Sequence, residues 1–146
     1  MSMNKMSDGT TRQGQCLCGA VTITAAHSSN DVGACHCHMC RRWGGGPFLE
    51  LNCGSDVVID GNEHVTVFNS SAWADRGFCS KCGTHLFYRL KDADEYMVPC
   101  GLFDTDAGLA FDHQVFIDEK PTYYSFANST LEMTGAEVFA RFGSPD

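Results

Sequence analysis

At 146 residues, with 43% hydrophobic and 19% charged side chains, the chain has the size and composition of one soluble globular domain, and no apolar run approaches the ~20 residues that span a bilayer. Ten Lys and Arg against eighteen Asp and Glu leave a net charge of -8, so the average surface repels phosphate backbones and anionic lipid, and neither nucleic acid nor a membrane is an expected partner. The first fifteen residues are polar and carry no apolar signal stretch, which makes residues 1–13 an expected flexible tail, residues 14–146 the expected single domain and the cytoplasm the expected location.

Along the chain, short β-rich segments bounded by turn residues are predicted at residues 20–24, 48–51, 57–59, 65–68, 85–89, 96–98 and 111–117. Their spacing predicts antiparallel sheets. Fifteen glycines supply the turns between them. Two stretches predict helix: a short one over residues 38–43, and one over 134–142, where Thr134 caps and Glu137 three residues on completes a capping box. The expected class is therefore all-β with short helical turns.

Seven of the nine cysteines fall into three clusters: Cys16 and Cys18, then Cys35, Cys37 and Cys40, then Cys79 and Cys82. In a reducing compartment such clusters bind metal rather than form disulfides, and an odd total fits complete pairing poorly. The outer pairs suit structural zinc, which takes four thiolates as two close pairs from distant parts of a chain. The C-x-C spacing puts two sulfurs on one side of an extended backbone, and the Cys79 to Gly83 knuckle turns both of its sulfurs toward one ion. A redox dithiol is the alternative for Cys79 and Cys82, but it needs a βαβ context that this chain lacks.

Cys35, Cys37 and Cys40 offer three sulfurs within six residues. Three protein ligands on zinc leave one coordination position for water or substrate, the mark of a catalytic site. Three thiolates and Zn²⁺ sum to a charge of about -1, a weak Lewis acid better suited to holding a thiolate nucleophile than to activating water. His36 and His38 alternate with the sulfurs and are read as supporting hydrogen-bonding groups, with ligation as the alternative. Cys53 is either a fourth ligand or a buried free thiol, and Cys100 is expected in the core. Arg41 and Arg42 form a local anion site or two solvated side chains.

The motifs Gly14-x-Cys16-x-Cys18-Gly19, Cys35-His36-Cys37-x-x-Cys40-Arg41-Arg42 and Phe78-Cys79-x-x-Cys82-Gly83-Thr84 resemble, in order and spacing, those of the glutathione-dependent formaldehyde-activating family, over residues 14–124. The resemblance implies a β-tent zinc fold of several coiled antiparallel sheets. It implies structural zinc on Cys16, Cys18, Cys79 and Cys82 and functional zinc on Cys35, Cys37 and Cys40, hence two Zn²⁺ ions. It also implies a carbon-sulfur lyase or synthase that joins glutathione, held as zinc thiolate, to formaldehyde. Arg41 and Arg42 would then pair with glutathione carboxylates while Trp43 and Phe48 wall the pocket or pack in the core. Two other readings stand beside this one: a non-catalytic zinc or glutathione-binding module, and a structural two-zinc protein that binds a protein partner.

Overall fold

The structure, a computed structural model, describes residues 9–142. Strands β1 (Thr10–Gln15), β2 (Thr22–Ser28) and β5 (Val57–Asp60) form a three-stranded antiparallel sheet in the order β1-β2-β5. A second sheet has eight strands: β3 (Asp31–Cys35), β4 (Phe48–Asn52), β6 (Val65–Asn69), β7 (Ala74–Cys79), β8 (His85–Leu90), β9 (Glu95–Pro99), β10 (Ala110–Val115) and β11 (Leu131–Met133). Its order is β11-β10-β3-β4-β9-β8-β7-β6. Helices α1 (His38–Gly44) and α2 (Gly135–Phe142) and three single 3-10 turns complete the described chain. The mainly-β class expected from the sequence is thus the class observed.

Alternation explains the small sheet. In β2, Ile23 and Ala25 are fully buried while Thr22 and Thr24 face outward, as a two-residue period requires. Ile23 joins Val21, Leu51, Leu86 and Val98 in one core cluster between the sheets, and burying each such side chain contributes roughly 1.5–3 kcal/mol. A smaller cluster, with Cys35, Cys40 and Phe48 at its centre and Trp43, Tyr88 and Met97 packed on it, surrounds the middle cysteines.

Two expectations need correction. Residues 10–13 are not a tail: they belong to β1, whose polar sequence TTRQGQ hides an inward-facing Arg12 and Gly14, and residues 1–8 lie outside the described residues. The large sheet is also not wholly antiparallel, because β10 runs parallel to both β3 and β11.

Gly14 shows why β1 needs its sequence. It bridges to Phe103, and a Cβ at this position would run into the Leu102 backbone. Backbone cannot rotate aside as a side chain can, so Gly14→Ala is expected to cost about 2–3 kcal/mol. Its urea midpoint should fall with an unchanged m-value.

The C-terminal helix starts as its sequence predicts. Thr134 Oγ1 accepts from the Glu137 N–H at 3.1 Å, and Glu137 Oε1 accepts from the Thr134 N–H at 2.7 Å, a reciprocal capping box.

Candidate metal centres and the adjoining pocket

The outer cysteines meet across the two sheets. Cys16 and Cys18 lie in the turn after β1, while Cys79 ends β7 and Cys82 sits in the turn to β8. In that knuckle Gly83 takes a φ of 80°, which lets its N–H donate to the Cys79 carbonyl at 2.7 Å. All four sulfurs lie within 4.8 Å of one another. The Cys16–Cys18 and Cys18–Cys79 separations are 3.7 and 3.8 Å, matching the ~3.8 Å edge of a sulfur tetrahedron built on zinc–sulfur distances near 2.3 Å. Thr84 ties the two halves together. Its Oγ1 accepts from the Leu17 N–H at 3.1 Å and lies 3.1 Å from Cys82 Sγ, to which it donates. That contact, with the Thr84 backbone, lowers the Cys82 pKa to about 5 and favours the thiolate that a metal needs.

The inner cysteines gather on one short stretch. Cys35 ends β3, Cys37 caps α1 by accepting from the Cys40 N–H at 3.4 Å, and Cys40 sits in the first turn. Their sulfurs also lie within 4.8 Å of one another, and among the described residues no further His, Cys, Asp or Glu joins the set. The Cys35 and Cys40 thiols both donate toward Cys37, whose pKa falls to about 2. Cys35, which shares protons with Cys37 and Cys40 and is buried, is pushed well above the usual thiol value. A divalent cation binding to the set displaces the protons that its thiols still hold.

His36, His38, Cys53 and Cys100 stand outside the inner sulfur set. His36 is fully buried with both ring nitrogens engaged. Gln114 Nε2 donates to Thr130 Oγ1 at 2.8 Å, which leaves its Oε1 to accept from His36 Nε2 at 2.7 Å; Nδ1 then accepts the Tyr124 hydroxyl at 2.8 Å. His38 is exposed, and its N–H donates to Glu119 at 2.9 Å. Cys53 lies in the other core cluster, donating to the Leu51 carbonyl at 3.7 Å, and does not complete the inner set. Cys100 packs at the margin of that same core, and burial pushes its thiol up to about 11.

A pocket of about 360 Å³ adjoins the inner set. Cys40, Trp43 and Phe48 line one side; Gly83 and His85, from the outer knuckle and β8, line another. Arg41 and Arg42 are not among the lining residues. Arg41 Nε donates to the His36 carbonyl at 3.0 Å, and Arg42 is exposed. His85 stacks on Trp43 with centroids 4.0 Å apart and planes 14° from parallel. Burial and the charge of Arg76 lower its pKa, so at pH 7 it presents a neutral imidazole to the pocket.

Three residues near the inner set escape a reading of local sequence patterns: His85, Arg76 and Glu50. Each arrives on a strand of the large sheet, outside the cysteine motif itself. Glu50 lies in β4, partly accessible, opposite Gly33 and Pro99. Burial, then the negative charge of Cys37, pushes its carboxyl up from 4.5 to about 8 against the pull of Arg76. Between those values the folded state holds a proton that the unfolded state has released, so stability falls as pH rises through that window. Glu50→Gln is expected to match the parent near pH 4 and to exceed it at pH 9 by on the order of 2 kcal/mol, allowing for partial exposure. Urea midpoints at the two pH values check this.

Comparison with known proteins places the chain among recognisable relatives. A family model described as glutathione-dependent formaldehyde-activating enzyme matches residues 11–119. A Schizosaccharomyces pombe protein described as an uncharacterized lyase is 37% identical over 127 residues, which span 86% of this chain and 93% of the yeast protein. The crystal structure of a Rhodobacter sphaeroides protein, a structural genomics target, is similar with a TM-score of 0.54 at 28% identity, covering 63% of this chain and 87% of that one.

Proposed function

Because the chain belongs to the glutathione-dependent formaldehyde-activating family, we propose that it is a carbon-sulfur lyase of the synthase type that joins glutathione, or a related small thiol, to formaldehyde or another small aldehyde. The observation that carries this reading is the contrast between the two sulfur sets: four sulfurs close the outer one, and three beside a pocket form the inner one. The outer set suits a structural zinc ion, the inner set a functional one. A zinc ion held by Cys35, Cys37 and Cys40 would supply a lowered pKa to a thiol placed against it.

The chain's own groups do the rest. The pocket wall of Trp43 and Phe48 places the thiol beside Cys40, and proximity supplies much of what this addition needs, since thiols add to formaldehyde readily. In the addition a sulfur–carbon bond forms, the carbonyl π pair moves to oxygen, and that oxygen takes the proton the thiol gave up. His85, neutral and in the pocket wall, is suited to carry that proton from sulfur to oxygen. His36 is less suited, with both ring nitrogens committed to Tyr124 and Gln114. Arg42, exposed on the same helix, remains available to a glutathione carboxylate outside the pocket.

The test is steady-state formation of S-(hydroxymethyl)glutathione by the zinc-loaded protein, with the uncatalysed reaction subtracted. A rate proportional to protein supports an enzyme. Tight glutathione binding without turnover would make the chain a binding module instead.

A further inference from the structure

Arg76 stands in the middle of β7, and only 4% of it is exposed. Its guanidinium carbon lies over two aromatic rings, 4.9 Å from the Trp43 centroid and 4.8 Å from that of Tyr88. Nε donates to Ser70 Oγ at 3.3 Å. Nη1 and Nη2 each stand 3.7 Å from one atom, Cys40 Sγ.

A guanidinium does not lose its proton in a protein, and burying one costs several kcal/mol unless an anion answers it. Glu50 feels the Arg76 charge, yet among the described residues no carboxylate forms an ion pair or hydrogen bond with the guanidinium, whose partners are Ser70 and Cys40. The atom that the fork reaches is the sulfur of Cys40, which answers the cation as a thiolate once a bound metal displaces its proton. The outer set is supported differently, by the Thr84 hydroxyl and by the Val21 N–H, which donates to Cys16 Sγ at 3.3 Å; both are neutral donors. A cation is thus buried beside the three-sulfur set, which with a divalent ion carries about -1 and with a further thiolate about -2.

We infer that Arg76 is the positioning residue of the inner centre: its fork fixes the Cys40 sulfur and its charge offsets one unit of negative charge, so that the centre accepts an additional anionic sulfur from a thiol substrate. The second half of this statement rests on the thiol-binding reading above, whereas the first half does not. Trp43 connects the two halves physically, because it covers Arg76 and also stacks on His85 in the pocket wall.

Cobalt(II) loaded into both centres tests the inference, since sulfur-to-cobalt charge transfer reports each centre as it fills and chelator competition gives the affinities. In Arg76→Gln the inner-centre affinity is expected to fall about 10-fold to 100-fold with the outer centre unchanged. Glutathione should perturb the cobalt spectrum with an apparent Kd at least about tenfold weaker than in the parent, a change that loss of packing alone would not confine to one centre. Arg76→Lys, which keeps the charge but has no fork and no plane to lie over the rings, should lose about threefold to tenfold. Wild-type inner affinity in both variants would overturn the inference. Should Arg76→Gln lose the outer cobalt as well, Arg76→Lys alone decides: a selective inner loss supports the role of Arg76, and none overturns it. A parent protein that fails to respond to glutathione would refute the thiol reading while the metal affinities still judge Arg76.

Discussion

Cys79→Ser is expected to unfold the protein at ambient temperature, and strong chelation of the unsubstituted chain should lower its Tm by tens of degrees. Cys79 is fully buried at the end of β7 in the eight-stranded sheet, while Cys16 and Cys18 follow β1 of the three-stranded one. Much of what ties β1 to the β7–β8 hairpin passes through this sulfur set and through Thr84. Structural zinc contributes folding free energy directly, on the order of 10 kcal/mol at neutral pH, which is as large as the whole stability of a typical domain. One missing thiolate also leaves three sulfurs crowded without a complete shell. Circular dichroism with a zinc titration checks the point: helix and sheet signals should return to the parent chain as zinc is restored, and should not return to the variant at the same metal concentration.

Cys37→Ser is expected to do the opposite, keeping the fold and losing the chemistry. Cys37 sits at the margin of the smaller core cluster, partly accessible, and its main local task is to cap a seven-residue helix through Cys40 N–H. Serine is itself a good cap, so the cost in stability is about 1 kcal/mol or less. The sulfur set, however, is left with two thiolates, and hydroxyl is a poor zinc ligand. The inner centre should lose its metal at ordinary zinc concentrations, and kcat/KM for the glutathione–formaldehyde addition should fall by at least about 100-fold, since a missing metal removes an effect worth several kcal/mol. Thermal melts alongside initial rates separate the two outcomes: a Tm within a few degrees of the parent with activity gone supports the division of labour between the sets.

The difference between these two substitutions was legible before any coordinates, because the spacing of the seven clustered cysteines is local information. C-x-C, C-x-x-C and a C-x-C-x-x-C run bring sulfurs together through backbone geometry alone. The capping box at Thr134 and Glu137 and the helix that begins at His38 are legible for the same reason. Strands β3 and β7 were not. Each carries a mid-strand glycine that lowers strand propensity, yet a Cβ at Gly33 would strike the His113 ring and one at Gly77 the Phe87 ring. Those reasons live in side chains on neighbouring strands.

The supporting residues of the inner centre fall on the same side of that line. Arg41 and Arg42 drew attention by following the cysteines directly, but the buried guanidinium beside Cys40 is Arg76, which alternation in an unrecognised strand turns inward. His36, read as a supporting hydrogen-bonding group or a ligand, has both ring nitrogens bonded to Tyr124 and Gln114. His85 lines the pocket because β8 carries it there beside Trp43. Chemistry on the cluster could be read locally; the groups that tune it are contributed by sheet pairing, which has no local signature.

Glutathione is expected to need the inner set and not the outer one. Native mass spectrometry of the zinc-loaded chain, titrated with glutathione, reads this in one spectrum. The prediction is a parent chain carrying two zinc ions, one for each sulfur group, and one glutathione, and a Cys37→Ser chain carrying one zinc ion and no glutathione. Glutathione bound equally to the parent and to a Cys37→Ser chain that has lost its inner zinc would contradict it.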